Sequence, residues 1–202
     1  MSHLRRRDAV LRGVIDSVGP LGVGQWTRGR PKEAFGSLLR SIVGQQLSVH
    51  AARAIFGRVV DANGGSSPTP QELLRMRETT LRRCGLSGTK IAYTRDLARR
   101  FRDGTLDARR IRRLDDEGVR DAITEVKGLG RWTADMFLMF HLRRPDVLPV
   151  GDLGLRRAVQ RAYRIPLPDA AKLESLAEPW RPYRTIASLY LWESLGIPPT
   201  IP

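Results

Sequence analysis

Apolar residues in this chain recur at three- and four-residue intervals, and nowhere do they alternate long enough to make a half-buried strand. Val10, Val14, Ile15 and Val18 share one helical face; Ala34, Leu38 and Ile42 define a second that can extend to Gln45. Ser48 stands where an N-cap would open a third helix reaching about Val60, and Thr69 with Glu72 has capping-box spacing ahead of a fourth. The pattern predicts further helices over 89–101, 116–126, 132–142, 153–163, 169–177 and 183–195. The best strand candidate, Val147-Leu148-Pro149-Val150, is short and broken by a proline, so it reads as an extended connector. The expected fold class is all-α. Gly19-Pro20-Leu21-Gly22-Val23-Gly24 has the glycines of a phosphate loop but no preceding strand, and reads as a turn between helices.

One helix junction differs from the rest. In Val126-Lys127-Gly128-Leu129-Gly130-Arg131-Trp132, two glycines one residue apart separate the end of one helix from the start of the next. Glycine admits positive φ and close approach of another backbone. The first N–H groups of the following helix have no partners within it, and the positive end of its dipole lies behind them, so an anion can bind there. Lys127 and Arg131 add charge of the matching sign. An ordinary helical hairpin with a glycine cap has the same local pattern, and the motif alone leaves both readings open.

Charge narrows the partners. Lys and Arg number 35 against 21 Asp and Glu, a net charge of +14, which suits a polyanion such as nucleic acid. Only Lys32, Lys90, Lys127 and Lys172 are lysines. Codon bias explains the preference for arginine but not the excess of base over acid. Cys84 is the sole cysteine, and His3, His50 and His141 are scattered. That excludes an intrachain disulfide, a four-cysteine zinc site and a protein-held iron–sulfur cluster, so no cofactor and no side-chain metal site is expected. No apolar run approaches the roughly 20 residues that span a bilayer, and no signal-peptide core follows the basic Met1–Arg7 segment. A cytoplasmic, nucleoid-associated protein without membrane contact is the expectation.

The surroundings of the hairpin carry a resemblance. The Arg144–Gly151 connector leads from its second helix to Asp152. Upstream, Ser41-Ile42-Val43-Gly44-Gln45-Gln46-Leu47-Ser48-Val49-His50-Ala51-Ala52 forms a helix–turn–helix entry segment. Downstream runs Trp180-Arg181-Pro182-Tyr183-Arg184 through Leu191-Trp192-Glu193. In this order the blocks resemble the helix-hairpin-helix (HhH-GPD) superfamily of DNA glycosylases, and within it the 3-methyladenine DNA glycosylase II branch, in compact form without the N-terminal β domain. The resemblance implies two helical lobes flanking a cleft. Residues 35–145, with the motif at about 117–142, would form one, and 1–34 with 146–202 the other, Asp152 lying at their junction.

The same resemblance implies the chemistry. Asp152 falls at the catalytic carboxylate, which stabilises positive charge on the deoxyribose as the base departs or activates the attacking water. Read locally it is an N-cap, and the two roles are compatible because a capping side chain is held rigidly. Asp135 and Asp146 are weaker rivals. Trp132 stands where bifunctional members carry a nucleophilic lysine, which implies a monofunctional enzyme leaving an abasic site. Trp132, Met136 and Trp192 are implied to line the base pocket, Trp192 by cation–π stacking on a cationic purine; core packing explains the aromatics equally. Met136 replaces a tyrosine of the relatives, which widens the substrate question. Around Gln45, Gln46 and Leu47 lies the loop implied to fill the hole left by a flipped base, with Gln46 the first choice for the wedge and Leu47 the second. Satisfying helix-end groups explains the glutamines as well. Lys90 and Arg95 read either as phosphate contacts or as a solvated face. The hairpin carbonyls of Lys127 and Leu129 are implied to hold a monovalent cation. Double-stranded DNA containing alkylated bases is the implied partner, bound by a monomer. Two other readings remain: a non-catalytic hairpin clamp, and a glycosylase for another base lesion.

Overall fold

The computed structural model describes residues 2–22 and 31–196. Among the described residues all regular structure is helical: α1 Ser2–Arg7, α2 Ala9–Val18, α3 Ala34–Gly44, α4 Val49–Ala62, α5 Pro70–Arg75, α6 Glu78–Cys84, α7 Gly88–Arg102, α8 Ala108–Arg113, α9 Asp116–Thr124, α10 Arg131–Phe140, α11 Leu153–Tyr163, α12 Ala170–Ala177 and α13 Arg184–Ser194, with a 3-10 turn at Glu178–Trp180. The capping signals are realised. Ser48 accepts the amide of Ala51 at 3.2 Å. Glu72 accepts the Thr69 amide at 2.8 Å while Thr69 Oγ1 accepts that of Glu72 at 3.3 Å, closing the capping box. The periodic pattern missed α1, α6 and α8. With six or seven residues each, they run under two turns, too short for a repeat to show. Positions 23 and 24 of the glycine-rich turn lie outside the described residues; Gly19 ends α2 at φ +76°.

The described residues form two compact units. The first is 31–137. Its centre is α3, whose Leu38, Leu39, Ile42 and Val43 are fully buried and which packs on α4 and α7. Phe35 and Phe101 meet edge to face at 5.4 Å. The second unit takes 2–22 with 138–196. There α2 lies on α11 and α13, burying Leu11 and Ile15, and Trp180 is fully enclosed. Asp8 organises this end. It caps α2, accepts the Trp180 indole N–H at 2.9 Å and takes the Tyr163 hydroxyl. Burial, then the Asp8 hydrogen bond, push the Tyr163 phenol above its ordinary range.

Candidate functional site

The hairpin between α9 and α10 shows why its two glycines differ. Gly128 has φ +83°, and a Cβ there would lie 2.1 Å from the Tyr93 ring, so that ring fills the space a side chain needs. Gly130 has no positive φ and open space beside its Cα; its lack of a side chain leaves room outside rather than serving an internal contact. Asp96 accepts the Lys127 amide at 3.1 Å and pins the start of the turn. The Lys127 side chain is exposed.

Arg131 is less simply a phosphate ligand than its position suggests. Its two terminal nitrogens bind Glu117 at 2.5 and 3.2 Å. Glu117 also accepts Arg120 at 2.7 Å, and Arg120 reaches Asp135 at 2.7 Å. Hydrogen bonds from Arg131, then from Arg120, hold the Glu117 carboxyl below the usual carboxylate range. Asp135 is 2% exposed, and burial pushes its carboxyl up against the pull of Arg120. This rival for the catalytic role is a brace: four alternating charges join α9 to α10 inside the motif.

The loop after α3 is held on both sides. Gln45 donates from its side chain to the Gly128 carbonyl at 2.7 Å, and Lys90 Nζ donates to the carbonyls of Val43 at 2.7 Å and Gln45 at 2.8 Å. Burial lowers the Lys90 pKa. Gln46, between these anchors, is exposed at φ +58°, a left-handed conformation costing a non-glycine residue about 1–2 kcal/mol. Leu47 is half-buried. Lys90 is therefore half-buried and turned onto the backbone rather than standing as a solvated charge. Its ammonium serves the last carbonyls of α3. Arg95 is also turned inward, with Nη2 on the Met76 carbonyl at 3.2 Å and a buried Nε that makes no hydrogen bond.

In the unit formed by the chain's two ends, Asp152 opens α11 and is 8% exposed. Two donors converge on its Oδ1: the Leu155 amide at 2.6 Å and the Trp192 indole N–H at 2.9 Å. Trp192 is 1% exposed, with its ring 6.5 Å from that of Phe140 and 28° from parallel. Its observed role is thus to hold the carboxylate. At Gly154 a Cβ would stand 3.1 Å from Asp152 Oδ1, so glycine keeps this bond unobstructed. The other end of α13 grips the connector. Arg184 binds both Asp146 oxygens at 2.9 Å and the Asp146 carbonyl at 2.7 Å. Thr185 Oγ1 accepts the Val147 amide at 3.0 Å and donates to the Arg144 carbonyl at 2.7 Å. Asp146, the second rival, is the connector's anchor. One helix therefore fixes both ends of the segment that carries Asp152, and Arg184, Thr185 and Phe140 join the residues that shape the site. Residue spacing gave no sign of the first two; Phe140 follows Met136 by one helical turn.

Residues 39–182 match the HhH-GPD superfamily of base excision DNA repair proteins. The chain belongs to this superfamily. DNA-3-methyladenine glycosylase 1 of Schizosaccharomyces pombe is 36% identical to it over 166 residues, covering 81% of this chain and 73% of that one. The solved structure of 3-methyladenine DNA glycosylase Mag1 of the same yeast, in complex with abasic DNA, matches with a TM-score of 0.84 at 33% identity over 96% and 95% of the two chains. DNA-3-methyladenine glycosidase of Bacillus halodurans matches with a TM-score of 0.82 at 38% identity, covering 96% and 88%.

In this HhH-GPD chain the candidate residues gather in two sets. Gln45, Gln46, Leu47 and the 127–131 turn come together in the 31–137 unit, and Asp152 with Trp192 in the other. Trp132 and Met136 stand one turn apart on α10, the first half-buried and the second buried, and belong to the 31–137 unit. Among the described residues no group of His, Cys, Asp or Glu could hold a metal ion, and no helix is long and apolar enough to cross a membrane.

Proposed function

We propose that this chain is a monofunctional DNA N-glycosylase, which flips alkylated purines out of duplex DNA, hydrolyses the N-glycosidic bond and leaves an intact strand with an abasic site. The observation that carries the reading is the cradle of Asp152. Its carboxylate is buried and oriented by the Leu155 amide and the Trp192 indole, on a connector clamped at its far end by Arg184 and Thr185. Departure of the base builds positive charge at the deoxyribose, and a carboxylate that needs no reorganisation stabilises that charge best. The three relatives named above are 3-methyladenine glycosylases or glycosidases, which supports alkylated purines as the substrate class.

The hairpin supplies the grip on the backbone through the first amides of α10, and the αL tip at Gln46 supplies the wedge. A monovalent cation on the carbonyls of Lys127 and Leu129 belongs to the same proposal. Gln45 already takes the carbonyl between them, and carbonyl oxygens with a DNA phosphate are a hard donor set. No step depends on that ion.

The test is Asp152→Asn. Asparagine still caps a helix, so the variant should fold and bind duplex as the wild type does. Release of bases from methylated DNA, followed by mass spectrometry under single-turnover conditions, should fall by about 10²-fold or more. A folded variant that released bases at the wild-type rate would refute the assignment.

A further inference from the structure

Three residues on one face of α7 reach both of the loops proposed to touch DNA. Lys90, Tyr93 and Asp96 follow at three-residue spacing, which stacks them on a common face. Lys90 holds the carbonyls of Val43 and Gln45. The Tyr93 ring fills the side-chain space of Gly128, and Asp96 takes the Lys127 amide. Gln45 then closes the circuit by donating to the Gly128 carbonyl. Only Gln46 stands out of this lattice, exposed and in the left-handed region. A conformation of that kind persists only where its surroundings over-determine it.

We propose that Lys90 and Gln45 are positioning residues that lock the Gln45–Leu47 loop to the Gly128 hairpin, so that the backbone grip and the probing tip act as one body. The proposal rests on the glycosylase reading and adds a division of labour to it. Lys90 places a cation on the C-terminal carbonyls of α3, where the helix dipole is negative. Without it the carbonyls of Val43 and Gln45 lose their donor, and the tip relaxes from its αL conformation. The hairpin keeps its own anchors, Tyr93 and Asp96, so its hold on phosphate is unaffected. Displacing a base would then require ordering the tip anew in each encounter, which slows flipping and leaves the initial hold on the duplex intact.

The experiment uses the full chain with Lys90→Met, Gln45→Ala, the double variant, and Gln46→Ala as a reference for the tip. Three quantities are read: affinity for undamaged duplex by anisotropy, flipping by fluorescence of 2-aminopurine beside the lesion, and single-turnover excision per folded enzyme. Affinity should stay within about twofold, while the flipping signal and the excision rate fall about tenfold in Lys90→Met, the scale of a hydrogen bond from a charged group, and about fivefold in Gln45→Ala, the scale of a neutral one. The double variant should lose little more than the worse single variant, because both act through the same loop. Gln46→Ala should be slowed similarly. Wild-type flipping in Lys90→Met and Gln45→Ala overturns the proposal. So does a loss of affinity that matches the loss of rate, or a Gln46→Ala variant that flips normally. Gln45 is half-buried at the surface, so its variant remains informative if Lys90→Met folds poorly. Failure of the wild-type protein to release methylated bases would sink the glycosylase reading instead, and the affinity and 2-aminopurine measurements would still judge the coupling on its own.

Discussion

Asp152 is read as an N-cap from its neighbours and as a catalytic carboxylate from the family, and a single atom reconciles the two. Its Oδ1 is the capping acceptor for Leu155 and also the acceptor for Trp192. The cap sets the carboxylate at the first turn of α11, and the indole fixes its direction. Trp192→Phe separates these contributions, since it keeps most of the ring's packing and removes the N–H. A hydrogen bond to a charged group is worth about 1.5–3 kcal/mol, so excision should slow by about tenfold or more while duplex affinity holds. Single-turnover excision beside an anisotropy titration checks this. An unchanged rate would mean that the Leu155 amide suffices to orient Asp152.

At the scale of elements, α9 and α10 are held together by the chain Arg131–Glu117–Arg120–Asp135. Glu117 sets a negative charge against the arginine nearest the proposed phosphate site. The Arg131–Glu117 pair is exposed and therefore weak, so a phosphate can compete for Arg131, while Arg120 keeps Glu117 from being left alone. Glu117→Gln should raise affinity for undamaged duplex by about two- to fivefold. It should also steepen the slope of log affinity against log salt by about 0.9, the value of one added phosphate contact. A salt titration by anisotropy measures both, and an unaltered slope would show that Arg131 stays off the phosphate. Because the Glu117 pKa is depressed in the folded protein, its pairing is complete above the ordinary glutamate value. It is lost only as pH falls through the lowered one. Mild acid should therefore not reproduce the effect of the substitution.

For the whole molecule the decisive expectation is the end point of the reaction. Position 132 holds tryptophan, and the Lys90 amine is committed to two backbone carbonyls. A Schiff base at the sugar needs an accessible amine at the reacting carbon. Lesion-containing duplex should leave the enzyme uncut, breaking only after alkali or heat, and borohydride added during turnover should trap no protein–DNA adduct. A covalent adduct that disappears on replacing one lysine would place the chain among the lyases.

What the sequence determined by itself is what depends on short separations. Helix periods, the Ser48 and Thr69 caps, the Gly-x-Gly turn between two helices and the excess of basic charge are all local or additive properties, and the structure realises the helices and caps within a residue or two of their expected ends. What the polar side chains do follows from helices brought side by side from distant parts of the chain. Lys90 and Arg95 were open to a phosphate role and Asp146 to a catalytic one, because nothing within a few residues of them says otherwise. Lys90 reaches the Gln45 carbonyl across 45 positions, Arg184 reaches Asp146 across 38, and Trp192 reaches Asp152 across 40. A buried or half-buried polar group must find a hydrogen-bond partner, but that partner is chosen by which helices pack side by side, and no local pattern records that choice.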